Sequence, residues 1–187
     1  MTVRLIQATH NPDYIIDKAG RVCYNSETES GPQREEWIKT RIKQGHLSIL
    51  EHASVTFEIK CSRACSHELV RHRLASYSQR SQRYVDEGNF EYYTPPELKK
   101  SPRFAEIIAN AQMSYRMLLD EGIKKEIARY ILPNAIMTEI IMTMNFRELR
   151  HFIKLRTDKA AMPEMRELAL EIREICRGLS LACFGDL

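Results

Sequence analysis

Three features of the chain predict an α+β fold. Strand-like segments are scattered among helices of unequal length, no strand–helix–strand rhythm recurs, and the second half is mainly helical. A single domain over residues 1–187, with a mixed or antiparallel sheet flanked by helices, accommodates all three. At 187 residues the chain can bury roughly 70% of its unfolded surface, so no disulfide or metal staple is required.

Residues 2–8 alternate as an edge strand, with Val3, Leu5 and Gln7 on one side. Asn11-Pro12-Asp13 predicts a helix start: a capping Asn, a proline in the first turn and an early acid. The polar run NSETESGP, residues 25–32, reads as a surface loop. QREEWIKTRIKQG then forms a helix that Gly45 stops. Polarity alternates again from Ser54 to Lys60, with Val55, Phe57 and Ile59 on one face. Ser62 caps a helix to about Arg71, and a serine-rich loop follows to about residue 81. Short strands are expected at 82–86 and 90–93, before Thr94-Pro95-Pro96. Residues 103–120 carry apolar side chains at helical spacing and end at Gly122. A short helix, KKEIARYIL, stops at Pro133, and 136–144 read as a buried strand. Asn145 and Glu148 make a capping box for the next helix. A turn from Asp158 leads to a last helix from Pro163 to about Leu181.

Hydrophobic residues are 43% and charged residues 28%, which excludes disorder as the default. The most apolar stretch, at 135–144, contains Thr138 and Glu139 and is far short of the ~20 residues of a membrane span. The start lacks the apolar core of a signal peptide. These readings point to a soluble, intracellular (cytoplasmic) protein with no membrane partner. Five scattered cysteines are a poor disulfide framework, and Cys61 and Cys65 read as two small buried residues on one helix face.

Net charge is +3, yet residues 60–85 alone carry +5, with Lys60, Arg63, Arg71, Arg73, Arg80 and Arg83 against Glu68. Concentrated arginine points to planar or bidentate recognition of an anion. Arg71, His72 and Arg73 repel one another unless an anion or π-system lies among them. The segment also offers Ser76, Ser78, Ser81, Gln79 and Gln82, an inventory suited to a phosphate and a base with carbonyls and an N–H. A solvated basic loop and a nucleotide site both remain open on these residues. So does single-stranded nucleic-acid binding, with Tyr77, Tyr84, Tyr92 and Tyr93 as stacking surfaces.

Arg71-His72-Arg73, seven intervening residues and Ser81 resemble the signature of flavin-dependent thymidylate synthases. Further blocks fall in the family's order: Gly20-Arg21-Val22-Cys23-Tyr24, QGHLSILEHASVTFEI at 44–59, IARYILP at 127–133, MNFREL at 144–149 and LRTD at 155–158. The resemblance implies methylation of dUMP at C5, with methylenetetrahydrofolate as carbon donor and FAD relaying hydride from NADPH. It also implies a homotetramer with shared active sites and no nucleic-acid partner. No cysteine lies in a Pro-Cys-His motif, which fits a flavin route without a cysteine nucleophile.

Residue by residue, the resemblance implies flavin contacts from Ser48, Arg71, His72, Arg73, Gln79, Asn145, Arg147 and His151, with His46 on the flavin and folate side. Glu68, Arg71, Gln79, Ser81, Gln82, Arg83, Arg129 and Arg156 match dUMP-binding positions. Arg156 matches the arginine that polarises the pyrimidine, and is the catalytic candidate. Gln79 stands where many members carry Glu, Glu68 where others carry Gln, His151 where some carry Asn, and Met162-Pro163-Glu164 replaces an Ala-Gln-x-Glu neighbourhood. His52 reads as a structural partner of Glu51 or of backbone. Met137, Met142 and Met144 read as core, and Asp86-Glu87 and Glu35-Glu36 as surface charge. His67, Glu68 and His72 imitate metal-ligand spacing without a third ligand, so no catalytic metal is expected.

Overall fold

The computed structural model describes residues 1–28 and 30–187. Four strands form one antiparallel sheet in the order β1-β2-β4-β3, comprising β1 (Thr2–Ala8), β2 (Ser54–Ser62), β3 (Ala75–Gln79) and β4 (Met137–Asn145). The helices are α1 (Pro12–Val22), α2 (Gly31–Lys43), α3 (Arg63–Leu69), α4 (Pro102–Asp120), α5 (Lys125–Ala128), α6 (Phe146–Arg156), α7 (Pro163–Leu179) and α8 (Leu181–Phe184). Short 3₁₀ turns cover Leu47–His52, Pro96–Leu98 and Arg129–Ile131.

Alternation in the two central strands builds the core. Val55, Phe57, Ile59 and Cys61 of β2 lie beside Ile140, Met142 and Met144 of β4, all buried. Leu149, Phe152 and Ile153 of α6 and Met165, Leu168, Ala169, Ile172 and Cys176 of α7 complete the same cluster. The methionines are core, as their setting predicts, with Met137 also buried. A smaller cluster of Phe90, Ile108 and Ile136 anchors α4.

Several local expectations change. Asn11 adopts a left-handed conformation (φ 48°) and its side chain makes no cap bond, so backbone geometry and Pro12 start α1. α2 begins at Gly31, taking in the last two residues of the expected loop, while Glu29 of that loop lies outside the described residues. Gly45, at φ 81°, does terminate the segment, since that backbone strains any residue with a Cβ. The serine-rich loop contains a strand instead. Ala75–Gln79 pairs with β4 from Met144 to Ile140. Residues 82–86 form a turn, with the N–H groups of Tyr84 and Val85 donating to the Ser81 carbonyl, and within 90–93 only Tyr92 bridges, to Ile136. The last helix breaks at Ser180, whose hydroxyl caps α8 by accepting from the Cys183 N–H.

Cys61 sits on β2 and Cys65 on α3, so they do not share a helix, although both are buried. Cys176 and Cys183 are also buried, whereas Cys23 is exposed. Burial pushes the thiols of Cys176 and Cys183 up to about 12, and Cys65 is raised by its contact with Cys61 and by burial. Glu87 is buried rather than on the surface, its carboxylate accepting from Arg80 Nη2 at 3.0 Å. Glu51 pairs with Arg147 at 2.5 Å, not with His52.

Candidate active site

Two helix ends converge on His72. Ser62 starts α3 by accepting from the Cys65 N–H, and α3 ends at Leu69, from which the chain turns back through Arg71-His72-Arg73 into β3. The Tyr77 hydroxyl locks that turn, donating to the Leu69 carbonyl at 3.0 Å and the His72 carbonyl at 2.9 Å. Asn145 starts α6 by accepting from the Glu148 N–H at 2.9 Å. One face of α6 then presents Glu148, Phe152 and Arg156, four residues apart, to the histidine.

Arg156, the last residue of α6, donates from Nη1 to Glu68 Oε2 at 2.8 Å and from Nη2 to the Glu68 carbonyl at 3.4 Å. Its Nε donates to His72 Nε2 at 3.1 Å. His72 Nδ1 lies 3.3 Å from Glu148 Oε1. Because Nε2 accepts, the neutral ring carries its proton on Nδ1 and donates it to Glu148. His72 is 6% exposed, and burial holds its pKa below the ordinary 6.5; Arg156 acts in the same direction and Glu148 opposes. Phe152 meets the ring edge-on at 5.0 Å between centroids. The result is a four-member polar chain: Glu68, Arg156, His72 and Glu148.

Beside it opens a cleft of about 740 Å³, walled by Ile42, Leu47, Leu50 and Leu74 and edged by Asn145, Arg147 and His151. The exposed His46 and Ser48 stand at the start of the 3₁₀ turn that supplies Leu47 and Leu50. His72, Glu148 and His151 bring three potential ligand atoms within 4.8 Å of one another. Arg156 opposes a cation there. It occupies Nε2, and a metal at Nδ1 would displace the proton shared with Glu148 and place positive charge beside a guanidinium.

The remaining predicted residues gather at the other end of β3. Four steps from Ala75 to Gln79 put the two groups roughly 13 Å apart along the strand. Gln79 Nε2 donates to Ser66 Oγ at 2.8 Å and to Thr138 Oγ1 at 3.3 Å, so its amide ties β3 to the neighbouring elements. Ser81 Oγ accepts from the Arg83 N–H, Gln82 is half-buried, and Arg83 pairs with Glu126 at 2.8 Å. Arg129 is exposed, and burial, with Arg129 adding in the same direction, lowers the pKa of Arg63. Among the described residues, no carboxylate pairs with Arg71 and Arg73 at one end of β3 or with Arg129 at the other, which leaves guanidinium groups for anions at both ends.

Sequence reasoning missed Glu148 and Glu87 as parts of these clusters. Spacing revealed Glu148 only as a capping partner. For Glu87, its apolar neighbours Val85 and Phe90 were the available sign of burial.

Comparison with known proteins decides the family. Residues 4–180 match the model of the thymidylate synthase complementing protein family. The chain belongs to the flavin-dependent thymidylate synthase family. The flavin-dependent thymidylate synthase of Geobacter sulfurreducens is 40% identical over 200 residues, covering the whole chain and 86% of that protein. Those of Pyrococcus furiosus and Mycobacterium avium are 41% and 38% identical, each over 92% of this chain and 77% and 78% of their own lengths. Flavin-dependent thymidylate synthases are enzymes, and His72, Glu148 and Arg156 of the polar chain come from the blocks that resemble the family's, whereas Glu68 lies outside them. Among the described residues, no helix is long and apolar enough to cross a membrane.

Proposed function

We propose that this chain converts dUMP to dTMP, with methylenetetrahydrofolate as the carbon donor and NADPH as the reductant, and with FAD as its cofactor. The balance is closed: dUMP, methylenetetrahydrofolate, NADPH and a proton give dTMP, tetrahydrofolate and NADP⁺. The observation that carries the reading is Arg156, held in a fork by Glu68 and His72 in the polar chain whose other end, Glu148, lines the cleft. Its guanidinium stays protonated and is fixed in direction, so it can stabilise negative charge developing at the N3–C4 carbonyl region of the pyrimidine.

The residues present suit a flavin. The cleft offers aliphatic walls for a flat ring and, from Lys154, a cation for a phosphate, while its Arg147 and Arg150 are paired with Glu51 and Asp186. Asn145, at the helix start, keeps its amide nitrogen available, since only its oxygen serves the cap. Bound there, FAD supplies the relay of hydride from NADPH. Ser48, Arg71, His72, Arg73, Gln79, Asn145, Arg147 and His151 would hold it, with His46 on the folate side. Glu68, Arg71, Gln79, Ser81, Gln82, Arg83 and Arg129 would orient dUMP. Ser81 hydrogen-bonds in this scheme and attacks nothing.

Separation of the assigned residues between the two ends of β3 supports a site shared between copies, in a homotetramer. So do exposed apolar side chains on α4 and the segment packed on it, with Tyr130 82%, Met113 60% and Ile127 57% exposed. Tyr77 argues against nucleic-acid stacking, because its hydroxyl is turned inward and burial raises its pKa to about 12. The test is the absorbance spectrum of the purified protein before and after dUMP, followed by dTMP formation. Flavin absorbance perturbed by dUMP, with turnover requiring the folate and NADPH, is expected. Colourless protein that binds oligonucleotides with a steep salt slope would overturn the reading.

A further inference from the structure

We propose that Glu148 is a positioning residue for Arg156 and acts through His72. The inference rests on the catalytic reading of Arg156 given above.

His72 has little freedom besides the placement of its proton. Its backbone is held by Tyr77, and its ring is 6% exposed and packed edge-on against Phe152. The ring has two nitrogens and two neighbours of opposite demand. Arg156 Nε can only donate, and the Glu148 carboxylate can only accept. Glu148 therefore selects the tautomer with the proton on Nδ1, and this leaves Nε2 open to Arg156. Glu148 is itself fixed, being 8% exposed with its N–H bonded to Asn145 Oδ1.

Removing the acceptor takes away the reason for that tautomer. A proton on Nε2 would then confront the Nε–H of Arg156 at 3.1 Å, donor against donor. Arg156 would keep only Glu68, whose side chain is 38% exposed, and the fork would be free to turn about that contact. Three turns of α6 thus act on one imidazole: Glu148 sets its proton, Phe152 sets its plane, and Arg156 uses its lone pair. None of the three is adjacent to His72 in sequence, and Glu148 is 76 residues away.

The test uses the full-length, flavin-loaded enzyme and two replacements at one position. Glu148→Ala removes the acceptor, with Glu148→Leu as a second, better-filling variant should alanine impair folding. Glu148→Gln keeps an acceptor oxygen without the charge. Nitrogen-15 NMR of histidine-labelled protein, with the His72 signals assigned by their loss in His72→Gln, should show Nδ1 protonated in the wild type and in Glu148→Gln. It should show Nε2 protonated, or a mixture, in Glu148→Ala and Glu148→Leu. Turnover at saturating dUMP should fall by about tenfold or more in the alanine and leucine variants, with little change in the dUMP KM, and should recover largely in Glu148→Gln. Combined with Arg156→Lys, the alanine change should cost almost nothing further, because its effect passes through the fork already removed.

An unchanged tautomer in both Glu148→Ala and Glu148→Leu would overturn the proposal. So would losses that multiply with Arg156→Lys, since these mark a separate structural role. Failure of the underlying reading looks different: Arg156→Lys would turn over like the wild type. The tautomer of the Glu148 variants would even then decide whether Glu148 acts on His72.

Discussion

Replacing Arg156 by lysine separates charge from geometry. The ammonium retains the positive charge and can still reach Glu68, but it cannot also supply the Nε–H that His72 Nε2 accepts at 3.1 Å. On the stability side, the Arg156–Glu68 pair is partly exposed (19% and 38%) and contributes at most about 1 kcal/mol. Leaving His72 Nε2 buried without a donor adds roughly 1–3 kcal/mol. A folded but less stable protein is expected, with its melting midpoint lowered by about 2–4 °C for each kcal/mol lost, and so by up to roughly 15 °C. Catalysis should suffer more. Losing one directed donor to developing negative charge costs about 10²–10³ in kcat, or ~2.7–4 kcal/mol of barrier. The assay is dTMP formation at saturating dUMP, compared at a temperature where circular dichroism shows both proteins folded. If Arg156 were only a helix-terminal cation complementing the macrodipole, worth ~0.3–1 kcal/mol, lysine would serve equally well. Wild-type turnover in the lysine variant would therefore refute the fork argument.

Ser62→Ala should destabilise the fold by about 2–4 kcal/mol, read by denaturant unfolding, because the hydroxyl both caps α3 and donates to the buried Glu164 at 2.5 Å; a loss under 1 kcal/mol would show that Glu164 finds another donor. For pH, the lowered pKa of His72 means that its unfolded form takes up a proton first, so its contribution is fully present above 6.5 and is lost as pH falls from there through the folded value. Stability of the wild type minus that of His72→Gln should decline between pH 6.5 and 5, and a flat or rising difference would contradict the neutral ring. Arg73→Ala should weaken flavin retention without unfolding the chain, since this exposed guanidinium has no carboxylate partner among the described residues; full flavin occupancy by absorbance would remove Arg73 from the cofactor site.

Apolar periodicity made β1, β2, β4 and most helices legible, and the caps at Ser62 and Asn145 marked their starts. β3 was hidden for an instructive reason. Its inward positions Ala75, Tyr77 and Gln79 do alternate with the exposed Ser76 and Ser78, but small polar residues carry little strand preference of their own. Pairing with β4 supplies the order. In the reverse sense, QRYVD at 82–86 has strand-like residues, yet it sits beyond the last β4 partner and closes into a turn on Ser81. At the site, motif blocks located Arg71 to Arg73 and Arg156, and matching beyond the blocks added Glu68, but neither told which groups they touch. Glu148 obeys the local capping rule through its backbone while its carboxylate serves a residue 76 positions away. Glu87 looked like one of two solvated acids because the basic groups it meets, Arg80 and Arg63, come together only in the folded chain.

The distribution of thiols makes the natural sequence a single-handle molecule for chemistry. Cys61, Cys65, Cys176 and Cys183 are sealed in the interior, while Cys23, at the close of α1, faces solvent. A maleimide dye at neutral pH should therefore attach at one place, with no engineered cysteine and no background to subtract. Under oxidising storage the same residue is the one available for a covalent link between molecules, so a reductant-sensitive dimer band on a gel would report a handling artefact rather than the native assembly.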